Sequence, residues 1–297
     1  MPPQVQTLNP TGSYLPFKGA CNFFMFKLGI VNFINTAAIY LPWNDLGPLK
    51  GWEVMEGPPS LLNKMLRERN LDAGLISSYA YGLNKDIYCL LPNLSISATG
   101  SVGSVILFSK IPINELHGKE IVVTSDSATS IALLKIILKK YYFIEPSYKT
   151  GTYKDFKHGA HAYLSIGNEA LRISLSKPHP YRIDLADVWL RQTGLPFVFA
   201  VFALRKELWK DHPQAVQSLY ERLIFCQKKG RNELSFICKK VAPIIPMEND
   251  SCLGYLKGIE HDFSLEKQKG LLHFFSMIKG MNVFPEVEHL EFVPIET

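Results

Sequence analysis

Short apolar runs that meet small hydroxyl or amide residues recur along this chain, and helical periodicity follows several of them. Ile121 to Thr124 is one such run. It leads into Ser125-Asp126-Ser127-Ala128-Thr129-Ser130, after which Ile131, Leu134 and Leu138 fall on one helical face. Val105 to Phe108 is another, entered from the small-residue turn Gly100 to Ser104. Upstream, Lys27 to Phe33 reads as a strand running to Asn35 and Thr36. A helix opened by Pro58-Pro59-Ser60, with Leu61, Leu62 and Met65 apolar, yields to the strand Leu71 to Ile76, which stops at Ser77 and Ser78. Alternating strands and helices predict an α/β protein with a mainly parallel sheet, whose ligands gather outside the carboxyl ends of its strands. Asn35, Ser77, Ser104 and Ser127 are all placed at strand ends, and their recurrence predicts a cleft.

The segment around Ser127 carries its own chemistry. A strand, a hydroxyl-rich turn and a helix start make an anion site, because free N–H groups and the positive end of the helix dipole point there. The alternative is that Ser127 or Thr129 only caps the helix. A second polar turn, Gly100 to Ser104, lies one strand away and favours the ligand reading. The same choice between cap and ligand-facing group stands at Asn35 and Thr36.

At 297 residues the chain suffices for one large domain or two lobes. Residues 1–20 hold four prolines and two glycines without helical pattern, and read as a loose leader. The net charge of +5 is spread thinly, so no nucleic-acid surface is expected, while a small anionic ligand suits it. Five cysteines, an odd number without CxxC spacing, point to free thiols in a reducing compartment and hence to the cytoplasm. Lys18 before Gly19-Ala20-Cys21 rules out a lipoprotein signal, and no 18-residue apolar run predicts a membrane span.

Further along, residues 139–161 carry no assignable pattern, and His158 and His161 read as a surface loop rather than a metal pair. Ala162 to Gly167 reads as a strand with a helix opening at Asn168, and Ile183 to Trp189 as a short helix broken at Thr193 to Pro196. Phe197 to Leu204, uniformly apolar, reads as a strand buried on both faces. Two long helices follow, one capped by Asp211 and ending near Gly230, the other capped by Ser264 and ending at Gly280. No phosphate-binding glycine loop, HExxH or GxSxG occurs, so neither a nucleotide cofactor nor a metal is expected.

Seven short motifs, in order, resemble one family. They are Phe33-Ile34-Asn35-Thr36, Leu75-Ile76-Ser77-Ser78, Leu91 to Ile96, Gly100 to Ser109, Thr124 to Ser130, Ile166 to Leu171, and Thr193 to Ala200. The chain resembles chorismate dehydratase of the futalosine route to menaquinone, from about Phe26 to its C-terminal end. The resemblance implies a periplasmic-binding-protein-like fold of type II, with two α/β lobes around a central cleft and joined by crossover strands near Ser104–Ser109 and Phe197–Ala203. Lobe 1 is then 21–106 plus 200–297, and lobe 2 is 107–199. It further implies a dianionic substrate, chorismate, with Asn35 and Ser104 nearest the chemistry. Thr36, Ser77, Ser78, Ser127, Ala128, Thr129 and Ser130 are then binding residues. Four positions depart from the family pattern: Ala38 for proline, Ala80 for glutamate, Ser101 for proline and Asn168 for aspartate. In the strand-end motifs around Asn35, Ser77, Ser104 and Ser127, Asp126 is the only carboxylate and there is no histidine, so chorismate's own enolpyruvyl carboxylate is the expected proton acceptor. Two rival readings remain: a 1,4-dihydroxy-6-naphthoate synthase-like enzyme, whose chemistry wants a cleft histidine, and a non-catalytic carboxylate-binding protein.

Overall fold

The structure is a computed structural model that describes residues 25–176, 179–279 and 284–295. The expected leader, Cys21 and the helix end at Gly280 lie outside the described residues.

The first lobe begins with β1 (Phe26–Val31), a 3-10 turn (Ile34–Thr36) and α1 (Ala37–Asp45). It continues through β2 (Trp52–Gly57), α2 (Pro59–Arg67), β3 (Ala73–Ser77), α3 (Ser78–Leu83) and β4 (Tyr88–Ala98). The chain then crosses to the second lobe. There lie β5 (Val105–Ser109), β6 (Glu120–Val123), α4 (Ala128–Ile136), β7 (Ser147–Thr150), α5 (Tyr153–His158), β8 (Ala162–Ile166), α6 (Gly167–Ser176), β9 (Tyr181–Asp184) and α7 (Leu185–Thr193). It returns through β10 (Phe197–Arg205) and ends in the helices α8 (Lys206–Asp211), α9 (Pro213–Asn232), α10 (Leu234–Val241), α11 (Asn249–Gly258) and α12 (Leu265–Ile278).

Two five-stranded sheets result, ordered β2-β1-β3-β10-β4 and β7-β6-β8-β5-β9. In each, four strands share a direction and one runs against them: β10 is antiparallel to both β3 and β4, and β5 to both β8 and β9. The sheets are therefore mixed rather than simply parallel, for a topological reason. The chain leaves β4 at its carboxyl end and passes straight into β5 without a helix to carry it back across the sheet. β5 therefore starts at the edge where its neighbours finish. Ser104 precedes β5 yet lies beside the carboxyl end of β8, since Val105 pairs with Ile166. The expected lobe boundaries at 106/107 and 199/200 fall inside β5 and β10 respectively.

β10 is an interior strand of its sheet, between β3 and β4, with Val201 to Arg205 buried while Phe199 and Ala200 remain half-buried at the cleft end. A large apolar cluster spans both lobes, with Trp189 of α7 packed edge-on against Phe197 and Phe274. A smaller one, around Ile34, Ala37, Ala38, Cys238, Cys252 and Leu256, backs the Asn35 turn. α9 crosses α1 so closely that a Cβ on Gly230 would stand 1.8 Å from the Ala38 carbonyl oxygen.

Several local expectations are corrected. Ile183 and Asp184 belong to β9, and the helix starts at Leu185, two residues later than expected, because Asp184 is its cap. Asp211 ends α8; α9 begins at Pro213, whose missing N–H suits a first helical position, and it runs on to Asn232. Ser264 occupies the cap position of α12 but makes no side-chain cap bond. The unassigned stretch holds a π-helical turn (Ile137–Tyr141), the exposed edge strand β7 and α5, so His158 ends a helix and His161 leads into β8. No helix among the described residues is long and apolar enough to cross a membrane.

Candidate functional site

The carboxyl ends of β1, β3, β6 and β8, with the starts of β5 and β10, line a cleft between the lobes whose open space, its mouth included, is about 570 Å3. Asn35, Thr36, Ser77, Ser104, Ser127 and Ser130 line it; Ser78, Ala128 and Thr129 do not. Among the described lining residues none is ionisable. Polar groups there act as neutral hydrogen-bonding partners, and Val31, Leu75, Ile96, Val102 and Phe199 supply an apolar wall.

Asn35 sits in the 3-10 turn after β1, and its Oδ1 is buried without a partner among the described residues. An orphaned buried acceptor costs about 1–3 kcal/mol, so a donor arriving with a ligand is favoured here. The backbone carbonyl of Asn35 accepts a bond from His261 Nε2 at 2.8 Å. Burial, with Arg231 and Lys267 nearby, pushes His261 down to about 4, so the ring is neutral and donates its Nε2 proton. The carbonyl of His261 is in turn held by Ser95 N at 2.9 Å and Gln227 Nε2 at 2.7 Å.

Ser104 is 1% exposed and accepts a bond from the Tyr255 hydroxyl at 3.0 Å. Burial raises the Tyr255 phenol, which therefore stays protonated as the donor. The proton of Ser104 is left to face a ligand. The turn that carries Ser104 is fixed by Asp184: one carboxylate oxygen accepts from Gly103 N at 2.6 Å, and the other caps α7 through Ala186 N and Asp187 N.

The remaining hydroxyls divide by what they touch. Ser77 Oγ accepts from Ala80 N and from Asn63 Nδ2, while Asn63 Oδ1 takes the Ser77 N–H, which leaves the Ser77 proton for the cleft. Ser127 is indeed the α4 cap, accepting Ser130 N at 3.1 Å, and its own proton goes to Ser130 Oγ at 2.9 Å. Ser130 therefore presents the outward proton at the start of a helix whose first-turn N–H groups lack intrahelical acceptors. Thr36 turns its hydroxyl back to the Val31 and Phe33 carbonyls. Ser78 donates to Val198 O at 2.7 Å, and Ala128 is exposed on the first turn of α4.

Thr129 instead ties the lobes together, its Oγ1 accepting Tyr79 N at 2.9 Å. A second tie runs from Ile34 N to Asn168 Oδ1 at 3.0 Å. Beside it Gly167 adopts φ +57°, and a Cβ there would lie 2.8 Å from the Phe33 ring. Both bonds join the two lobes beside the cleft. Asp126 does not line it; its carboxylate accepts a bond from Ser125 Oγ. His261, Tyr255, Asp184 and Asn63 escaped the sequence reading. Only Asp184 had a local signal, an acid directly before a helical pattern.

Residues 26–280 match the model of a family described as menaquinone biosynthesis. The chain is 33% identical over 219 residues to the chorismate dehydratase of Thermus thermophilus, covering 66% of this chain and 75% of that protein. It is 34% identical over 196 residues to the chorismate dehydratase of Campylobacter jejuni, covering 63% and 73%. Among solved structures it resembles an alkanesulfonate-binding protein of Xanthomonas axonopodis pv. citri bound to MOPS, with TM-score 0.66, 11% identity and coverage of 88% and 94%. It also resembles a conserved Candida albicans gene product with the generic periplasmic binding protein fold, with TM-score 0.57, 7% identity and coverage of 92% and 98%. These last two establish the fold: a periplasmic-binding-protein-like pair of α/β lobes.

Proposed function

Because the chain belongs to the menaquinone biosynthesis family, alongside its chorismate dehydratases, we propose that the cleft binds chorismate and eliminates water from it, giving 3-[(1-carboxyvinyl)oxy]benzoate. The reaction is that of a hydro-lyase. The C–H bond at the ring carbon bearing the enolpyruvyl ether breaks, its electron pair becomes a ring double bond, and the neighbouring C–O bond releases the hydroxyl group. Hydroxide and the abstracted proton together make the water lost, and the ring becomes aromatic.

The observation that carries this reading is the pair formed by Asn35 and Ser104. Ser104, its oxygen already engaged by Tyr255, has one proton to donate to the leaving hydroxyl oxygen. Asn35 Oδ1, without a partner, accepts that hydroxyl's own proton and so orients it. Charge that builds on the ring carboxylate during proton abstraction is stabilised by the Ser130 hydroxyl and the N-terminal turn of α4. The described cleft lining has no carboxylate or imidazole to act as base. This supports substrate assistance, with the enolpyruvyl carboxylate of chorismate taking the proton and the protein supplying position. The absence of a lining histidine also disfavours a dihydroxynaphthoate-forming reaction. Four buried, unpaired thiols, Cys89, Cys226, Cys238 and Cys252, support a reducing compartment.

The test mixes purified protein with chorismate and follows loss of the cyclohexadiene absorbance, with the product identified by mass. A product lighter by one water, absent with Asn35→Ala and with Ser104→Ala, is expected. Chorismate that binds and is never consumed would mean a carrier. Loss of turnover in Asp126→Asn with binding intact would rule out substrate assistance.

A further inference from the structure

Behind the Gly100–Ser104 turn the described residues line a second, solvent-open cavity, whose space including its mouth is about 680 Å3. It lies where the lobes join. α6 and β9 form one wall and α11 the other, while Ser101, Val102 and Gly103 separate it from the cleft. Its chemistry differs from that of the cleft. Leu171, Leu175 and Met247 make it apolar, and Arg182 is the only charged side chain among its described lining residues. Arg182 lies over the Phe108 ring at 5.9 Å and has no ion-pair partner among the described residues. Asp184, two residues along the same strand, directs its carboxylate to backbone N–H groups of the turn and of α7 instead. On the α6 wall, Ser174 Oγ is buried and makes no hydrogen bond. Gly254, on the facing side of α11, has open space where a side chain would project.

Among the described residues, an exposed guanidinium without an acidic partner and a buried hydroxyl without a hydrogen bond line the same largely apolar hollow, and together they suit one kind of occupant. We propose that this cavity is an effector site for a small monocarboxylate with an apolar body. Its carboxylate pairs with Arg182 and accepts the Ser174 proton, while its apolar body covers Leu171, Leu175 and Met247. The occupant would also touch Tyr255, whose hydroxyl holds Ser104, and would bridge elements of both lobes. Filling the cavity is thereby coupled to the cleft.

The test is calorimetric titration of the full chain with octanoate, which needs no assumption about the reaction. One saturable site per chain is expected, undisturbed by saturating chorismate. Arg182→Gln should weaken it about tenfold or more, the loss of one charge-assisted bond. Gly254→Phe, which fills the cavity and spares the cation, should abolish it, and octan-1-ol should bind far more weakly than octanoate. Both variants are first shown to melt like the parent. No saturable heat up to about 10 mM, displacement by chorismate, or parental affinity in either variant would each overturn the site. With chorismate turning over, octanoate should shift the KM of the parent and leave that of Gly254→Phe unmoved. A parental KM that does not respond would overturn the coupling to Ser104.

Discussion

Alanine at position 230 sets two physical effects of opposite sign against each other. Gly230 lies inside α9, where exchanging glycine for alanine ordinarily stabilises a helix by up to about 1 kcal/mol. Here the new Cβ would stand 1.8 Å from the Ala38 carbonyl oxygen and 2.5 Å from its carbon, far inside the 3.0 Å that such contacts respect. Both obstacles are backbone, so no side chain can swing aside, and α9 and α1 must part. Overpacking of this kind costs about 1–3 kcal/mol, and more where the contact is rigid. With the cost at the top of that range or above, the net expectation is a loss of at least about 2 kcal/mol, or roughly 4–8 °C in Tm. Ala38 lies three residues beyond Asn35, so turnover should fall with stability. Gly254→Ala in α11 is the matched control, since its Cβ meets nothing within 4 Å and only the propensity gain remains. Thermal unfolding followed by circular dichroism should therefore show Tm falling in the first variant and holding or rising in the second. A Gly230→Ala protein as stable as the parent would refute the close helix crossing.

Three further outcomes are expected. Tyr255→Phe removes the donor to Ser104 and should lower kcat about five- to tenfold, the weight of one hydrogen bond, with little change in Tm. His261 is neutral when folded and ionises near 6.5 when unfolded, so the stability it confers is full above pH 6.5 and declines as pH falls toward 4. Between pH 7 and pH 5 this amounts to about 2 kcal/mol; urea unfolding should show that loss in the parent and a shallower one in His261→Gln. Asn168→Ala deletes the acceptor of the Ile34 N–H tie and should raise KM about fivefold, whereas Asn168→Asp, which keeps an acceptor, should not.

The strand-end logic was legible from residues alone, and the four residues it named, Asn35, Ser77, Ser104 and Ser127, line one cleft. Ser78 and Thr129, binding residues by resemblance, do not line it, because neighbours in one polar turn point different ways. One hydroxyl meets the Val198 carbonyl and the other meets Tyr79 of the opposite lobe. Strand direction was not legible either, since an apolar run reads the same in both directions and the reversals of β5 and β10 follow from where the chain crosses. β2 and β7 escaped notice as partly exposed edge strands without a clear apolar alternation. β4 was hidden by Pro92 and Asn93, the latter at φ +59°. His261 and Tyr255 stand more than 150 residues from the groups they hold, and nothing local marks them.

The place of β10 between β3 and β4 has a consequence for how the molecule is made. Synthesis delivers β1 to β4 first, but their sheet has an empty slot until residue 205 has been added. The second lobe is one unbroken stretch, with all five of its strands available by Asp184. It has the means to fold while the first lobe is still waiting on the ribosome. During that interval β3 and β4 each present an unpaired edge of apolar strand, the kind of surface to which chaperones and sister chains adhere. Arrival of Phe197 to Arg205 seals both edges in one step and at the same moment brings Phe199 and Ala200 to the cleft. Completion of the barrier against aggregation and completion of the cleft are thus a single event in the life of the chain.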